Sequence, residues 1–560
     1  MPVITFSETG RHIEVPDGGV LFEILNQYGL NIPSDCGGKG QCGKCVVRIV
    51  TGNIPPPSDE EMQLLERHQS RISGTDPRVL GAEKHPVSEN RSASGGKAGR
   101  LACRVVVKND ITISTPHIDI IPNKTITDVS SKTRLSSLHG RIGCAVDVGT
   151  TTVGMYLVDV QNGRLIAQRS FINPQVRYGY DVMTRMQKGA DPAVRRELQN
   201  LLKSRIINEL LSMCEGAGVD FTALSKLYFV GNTVMGHFLS GADFSTLARI
   251  PFRSPLEGMG HIPLAEIFSE LPPGCEAVFI SIAGGFIGSD VAAGIAGAEL
   301  YTKKQAWLYI DFGTNGEIVL GVAGRITAAA AAAGPAFEGA HLTSGTIAVP
   351  GAIFNVSYRN GEFSVETIGG LPPAGLCGSG AISLLHTLVK NGIVSASGRF
   401  DTQFKGIRKR KYDEIVIAVR PDRIEIVFTQ EDIREIQLAK AAIAAGIVFL
   451  LSAGGRSASG GNERRVKSSD IDAVYITGSF GVKIDAEDLL SLGIIPEIPP
   501  ERIQFIDNAA GRGAIQMICD DKLYAVLETI ASHIDVVNLG EMPGFQERFI
   551  KHFSLEPFSM

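Results

Sequence analysis

Two stretches of this chain repeat one another, and the repeat limits the possible folds more tightly than any other feature. Ile142-Gly-Cys-Ala-Val-Asp147 reads as an apolar strand ending in a carboxylate, followed by Gly149-Thr150-Thr151-Thr152, a return strand over 153–160 and an Asn162-Gly163 turn. Trp307-Leu-Tyr-Ile-Asp311 repeats the pattern through Gly313-Thr314-Asn315-Gly316, with a return strand from Glu317 to Val322 and a turn at Gly324. A strand that ends in Asp and turns through Gly-Thr sets N–H and hydroxyl groups around a phosphate, with the carboxylate at hand for Mg2+ or water. Two such loops can grip a nucleotide between them. A third element, the buried strand Ile471-Asp-Ala-Val-Tyr-Ile-Thr477 feeding Gly478-Ser479-Phe480-Gly481, suits close approach of adenosine to the backbone. One Asp-x-Gly-Thr turn is ordinarily just a hairpin; three such elements in this order point to a nucleotide cleft.

The N-terminal part carries a different chemistry. Cys36, Cys42 and Cys45 follow C-x5-C-x2-C spacing in a loop rich in glycine (Gly37, Gly38, Gly40, Gly43), and Cys103 arrives later in Arg100-Leu-Ala-Cys103. Four thiolates hold two irons, and a loop wrapping an iron-sulfur cluster needs backbone N–H groups close to sulfur. Lys39, Lys44 and Arg104 place positive charge beside it. The run Gly38 to Cys45 nearly fits a P-loop, but Cys45 replaces the Mg-binding hydroxyl and a strand pattern, Val46 to Val50, follows where a helix is needed. Zinc fits less well, because three thiols share one loop instead of forming two short pairs.

Net charge −5 argues against nucleic acid, and 44% apolar with 20% charged residues over 560 positions is globular material for two to four domains. The longest apolar run, Ala441 to Gly454, is short for a membrane span and the N-terminus has no signal-peptide pattern, so no membrane association and a cytoplasmic location are expected. Nine cysteines without a disulfide framework agree with that; Cys144, Cys214, Cys275, Cys377 and Cys519 are expected in cores.

In chain order, 3–6 and 11–15 form a hairpin, Leu21, Ile24 and Leu25 mark a short helix, Ser58 opens another, and Leu101–Val107 with 111–113 closes a small sheet. The polar stretch 74–99 reads as a surface insertion and 117–139 as a linker. Domains are expected at 1–116, 140–300 and 301–560, with the nucleotide cleft between the last two. Val230–Thr233, Ala333–Gly339, Gly375–Gly380 and Asn508–Gly511 are further glycine-centred runs able to line it. The run 375–380, with Gly378 and Ser379, immediately precedes a helix expected over 381–389, so its N–H groups suit a phosphate, although packing a strand against a helix explains the run equally well. Helices are expected over 192–211 and 432–451, and His237 reads as structural.

The first 115 residues resemble a 2Fe-2S ferredoxin of the β-grasp fold, and the three nucleotide elements resemble the actin, sugar-kinase and heat-shock ATPase superfamily. The implied class is therefore an α+β β-grasp ferredoxin domain followed by α/β duplicated actin-like (ribonuclease H-like) ATPase domains. Taken together with Asn173-Pro-Gln, Val230-Gly-Asn-Thr and Ala333-Gly-Pro-Ala-Phe-Glu, the whole order resembles the reductive activators of corrinoid-dependent methyltransferases. The resemblance implies ATP-supported transfer of one electron from a 2Fe-2S cluster to an inactive Co(II) corrinoid, restoring Co(I). It implies Cys36, Cys42, Cys45 and Cys103 as cluster ligands, Asp147 and Asp311 at Mg2+, and 149–152, 313–317 and 478–481 around ATP. A corrinoid protein, an upstream low-potential electron donor and a homodimer are implied as partners. Some members of that family carry two 4Fe-4S clusters near the C-terminus; only Cys519 lies there in this chain, which places it in the 2Fe-2S branch. An ATP-driven donor to a different low-potential enzyme and a redox-sensing interaction protein remain as alternatives.

Overall fold

A computed structural model describes residues 1–6, 12–27, 40, 45–65, 99–114, 141–179, 181–250, 252–339, 342–421, 423–453, 465–478 and 484–560. The expected insertion 74–99 apart from Gly99, the linker 117–139, Cys36, Cys42 and Ser479, Phe480 and Gly481 lie outside the described residues. The chain divides into two compact units, Met1–Ile120 with Pro174–Tyr180 and Arg408–Asp413, and the remainder.

In the first unit Val3–Phe6 alternates half-buried and buried residues, turning Ile4 and Phe6 inward. It pairs antiparallel with His12–Glu14 and parallel with Ile111–Ser114; the latter pairs with Val46–Gly52, and that strand with Gly99–Leu101. The helix Leu21–Gln27 buries Leu21, Ile24 and Leu25 in a core with Val47, Leu101, Val107 and Ile113. The expected continuous strand from Leu101 to Val107 is broken by a 3-10 turn, Ala102–Arg104, before Val106–Val107 pairs with Gly19–Val20. The Ala102 N–H donates to the Cys45 carbonyl at 2.7 Å, so the break is what turns Cys103 back beside Cys45.

A buried ion pair fixes this corner. Arg100 meets Glu61 with both arms of its guanidinium, Nε to Oε1 at 2.9 Å and Nη2 to Oε2 at 3.0 Å. The Leu101 N–H donates to Oε1 at 2.8 Å, and Arg100 Nη1 donates to the Pro55 carbonyl at 2.7 Å. Removing one partner strands a buried charge, which costs about 3–5 kcal/mol, whereas replacing both by apolar residues is closer to neutral. R100A is therefore expected to lower the melting temperature of this unit by about 10 °C or more, and R100M/E61M to recover a large part. Calorimetry checks both; an unchanged R100A midpoint would remove the clamp from the account.

The second unit contains the sequence repeat as two six-stranded sheets that share the order of five strands. In the first, Ile142–Val148 runs between the antiparallel Thr152–Asp159 and the parallel Leu224–Gly231, with Arg164–Ile172 beyond one and Glu276–Phe279 beyond the other. In the second, Trp307–Phe312 runs between the antiparallel Gly316–Val322 and the parallel Ala473–Gly478, with Arg325–Ala331 and Ile503–Phe505 outside them. Residues of Ile142–Val148 are buried throughout, as a strand covered on both faces requires.

Helices Pro192–Ala217 and Gln430–Ala453 extend past the expected bounds. Asp191 caps the first, accepting from the Ala193 N–H at 2.8 Å, and Gly218 ends it at φ 65°. Within the second, Gln430–Ser452 is long and apolar enough by composition to cross a membrane, contrary to expectation, but Ile436, Ile443, Ile447 and Leu450 place it in the core of the unit. Of the expected core cysteines, Cys144, Cys214, Cys275 and Cys377 are buried and Cys519 is half-buried. His237 is fully buried, its Nε2 2.9 Å from Ser254 Oγ, and burial pushes its pKa down to about 4, which keeps the ring neutral.

Helices Ser289–Gly297 and Ala509–Cys519 cross so closely that glycine is required at the contact. A Cβ on Gly513 would stand 1.9 Å from the Ala293 carbonyl oxygen, and one on Gly297 2.4 Å from that of Ala509. Because both obstacles are backbone, G513A has to push the helices apart. The expected loss is about 1–3 kcal/mol, read as a lowered denaturation midpoint; wild-type stability in G513A would contradict the crossing.

Candidate functional site: a two-loop cleft and a cysteine corner

The repeats bring their turns together at a cleft lined by Asp147, Gly149, Thr150, Thr151, Thr152, Asp311, Gly313, Thr314, Asn315, Glu317 and Gly478 among the residues read from sequence. Gly316, Gly378 and Ser379 do not line it. Gly378 instead backs onto the Phe337 carbonyl, where a Cβ would come within 1.7 Å, and Ser379 Oγ lies 3.3 Å from Cys377 Sγ. That close backbone contact accords with a packing role for Gly378. Asp290, Glu338, Asn232, Thr477, Asn508 and Ala510 complete the lining. Asp290 carried no sequence signal beyond standing in the first turn of the helix Ser289–Gly297.

Each loop is braced from behind. The Gly149 N–H donates to the Thr152 carbonyl at 3.1 Å, while the Asn173 N–H donates to the Thr151 carbonyl at 2.8 Å and its Nδ2 to that of Gly149 at 2.9 Å. Asn232 Nδ2 donates to Thr150 Oγ1 at 3.0 Å, and Asn232 Oδ1 accepts the Met235 N–H as cap of the helix Thr233–Ser240. In the second repeat the strand register sets Asp311 between Glu317 and Thr477. The corresponding register partner of Asp147 is Gly154, so only the second repeat presents a carboxylate pair on neighbouring strands.

Five acids therefore line the cleft, and no lysine, arginine or histidine is among the described lining residues. Burial first, then the charges of Asp290 and Asp311, push the Glu317 carboxyl well above its ordinary range. Burial and the same acids push Tyr309, beneath Asp311 on its strand, upward as well. Anionic phosphate enters such a site only with a cation. Mg2+ keeps several waters and takes one or two carboxylates plus phosphate oxygens.

The second place of interest is the corner holding Cys45 and Cys103, whose Sγ atoms lie 3.2 Å apart. That is far beyond the ~2.05 Å of a disulfide, and two thiols so close suit neighbouring corners of one tetrahedral iron. Gly40, at φ 70°, lies in the same loop as Cys36 and Cys42; Arg104 Nη2 donates to its carbonyl at 3.4 Å and also meets Glu60 at 3.4 Å. A Cβ at Gly40 would come within 2.5 Å of Arg104 Nε, so this glycine lets a guanidinium lie against its backbone. Strand Val46–Gly52 follows Cys45 directly, as the exclusion of a P-loop required.

Both parts match known families. A model of the C-terminal domain of RACo, the ASKHA domain, matches residues 305–560, and one of the RACo middle region matches 142–303. The chain belongs to the RACo family. A 2Fe-2S iron-sulfur cluster binding domain matches residues 4–72, so the cofactors of this RACo chain are a 2Fe-2S cluster and ATP with Mg2+. Cys103 falls beyond the matched stretch, with its Sγ 3.2 Å from that of Cys45. Among relatives, the corrinoid activation enzyme RamQ of Eubacterium limosum is 26% identical over 607 aligned positions, covering 98% of each chain. The [Co(II) methylated amine-specific corrinoid protein] reductase of Methanosarcina barkeri is 24% identical over 65% of this chain and 67% of its own. The solved structure of a reductive activator for corrinoid, iron-sulfur protein superposes with a TM-score of 0.66 at 24% identity, covering 99% of this RACo chain and 98% of that one.

Proposed function

We propose that this chain is an ATP-dependent reductive activator of a corrinoid methyltransferase protein, returning inactive Co(II) corrinoid to Co(I). The observation that carries the reading is the presence, on one chain, of a paired-thiol corner and an acid-lined cleft built from two Asp-Gly-Thr turns. A relative matched over nearly its whole length and named a corrinoid activation enzyme supports it, as does one matched over two thirds of its length and named a corrinoid protein reductase.

Cys36, Cys42, Cys45 and Cys103 hold the cluster, which supplies one electron from a potential near roughly −400 mV. Each further 59 mV toward a more negative acceptor costs about 1.4 kcal/mol, so reduction of a very low-potential corrinoid calls for coupling. The loops 149–152 and 313–317 hold the ATP phosphates, Asp147 and Asp311 take the Mg2+ side of the complex, and the turn 478–481 lies by the adenosine. Nucleotide closure of the cleft then changes how the chain grips its corrinoid partner. An upstream low-potential electron donor refills the cluster, the working form is a homodimer, and the setting is the cytoplasm.

The test is anaerobic visible spectroscopy of the chemically reduced protein mixed with Co(II) corrinoid protein, with and without Mg-ATP. The expected result is a Co(I) band that depends on Mg-ATP. An intact 2Fe-2S spectrum with no Co(I) from any of several corrinoid proteins would instead favour a different low-potential acceptor.

A further inference from the structure

Glu338 belongs to neither repeat, yet its carboxylate joins them. Thr151 Oγ1 donates to Glu338 Oε2 at 2.7 Å and Thr314 Oγ1 donates to the same oxygen at 3.0 Å, while the two hydroxyl oxygens stand 3.4 Å apart. A threonine hydroxyl has one proton to give. Both protons are therefore committed to the carboxylate, and the longer contact between the hydroxyls is not a third bond. What remains to each oxygen is lone pairs. Phosphate oxygens are acceptors and need donors, so neither hydroxyl can serve a phosphate while Glu338 holds it.

The backbone under Glu338 has little freedom to yield. It ends the turn Pro335–Glu338, which is pressed against the helix start at Gly378, and Gly339 follows at φ 77° with room for no side chain beside the Thr346 carbonyl. Movement is left to the side chain.

We infer that Glu338 is a positioning residue that competes with the nucleotide's phosphates for the Thr151 and Thr314 hydroxyls. Phosphate entry turns both hydroxyls from carboxylate to phosphate and expels the Glu338 side chain from between the loops. The carboxylate thus ties the two repeats in one arrangement and the phosphate ties them in another. This rests on the nucleotide-cleft reading above.

The sign of an affinity change tests it. Titration calorimetry of Mg-ATP into the full chain should show E338Q and E338A binding about tenfold tighter than wild type, the equivalent of one charge-assisted hydrogen bond no longer competed for. In a T151V/T314V background the same substitution should gain less than about twofold, because no hydroxyl is left to release. Weaker or unchanged binding in E338Q, as for a metal ligand or a brace of the fold, would overturn the inference. So would a gain that persists undiminished without the hydroxyls, which would be the effect of charge alone. E338Q keeps the shape of the side chain, so the comparison holds even where the alanine variant fails to fold. A wild-type chain that binds no Mg-ATP would overturn the cleft reading together with this one, whereas normal wild-type binding with the wrong sign in E338Q defeats this inference only.

Discussion

C103A is expected to lose the visible and reduced-state EPR signals of the 2Fe-2S cluster, and with them all electron transfer, while binding Mg-ATP as before. Three thiolates leave one of two irons short of a ligand, and Cys45 and Cys103 are the only cysteines among the described residues of the first unit. Iron and sulfide analysis beside EPR decides the matter. C519A, altering a half-buried thiol of the other unit, is the control and should keep a full cluster. A stoichiometric cluster in C103A would place the fourth ligand elsewhere and undo the reading of the corner.

The second large effect is expected at the other end of the mechanism. D147A and D311A should each reduce ATP-stimulated corrinoid reduction at least about a hundredfold, with the cluster spectrum intact, and chelation of Mg2+ should do the same to the wild type. The reason is the acid lining of the cleft, formed by Asp147, Asp290, Asp311, Glu317 and Glu338. With five acids facing the phosphates, a cation is the means of bringing charge into balance, and Asp147 and Asp311 end the two central strands where it would sit. An ATP-stimulated rate that survives either substitution or the chelator would refute the assignment.

Much of this was legible in the sequence for a definite physical reason. A strand buried on both faces must be apolar throughout, so the carboxylates that end Ile142–Asp147 and Trp307–Asp311 stand out, and a glycine-threonine turn after each marks where they point. The cysteine loop is as plain, because thiols and glycines at fixed spacing have few other uses. Residues whose meaning depends on distant partners were not legible. Glu338 lay in a run flagged for the cleft, but its two hydroxyl partners sit in different repeats and no spacing reveals them. Asp290 looks like any acid in the first turn of a helix. Gly378 is ambiguous in sequence, because close backbone packing and phosphate binding select glycine alike. The strand break at Ala102–Arg104 was hidden by the continuous apolar run around it.

The glycine crossing of Ser289–Gly297 and Ala509–Cys519 has a bearing on how such chains can be recombined. Each helix is shaped to the bare backbone of the other, so the two are a matched pair although they lie far apart in sequence. A chimera that takes its C-terminal lobe from a relative, cut at the natural seam near residue 304, would join two helices never fitted to each other. Transplanting Ser289–Gly297 along with the new lobe is the smallest exchange that keeps the mating surfaces together.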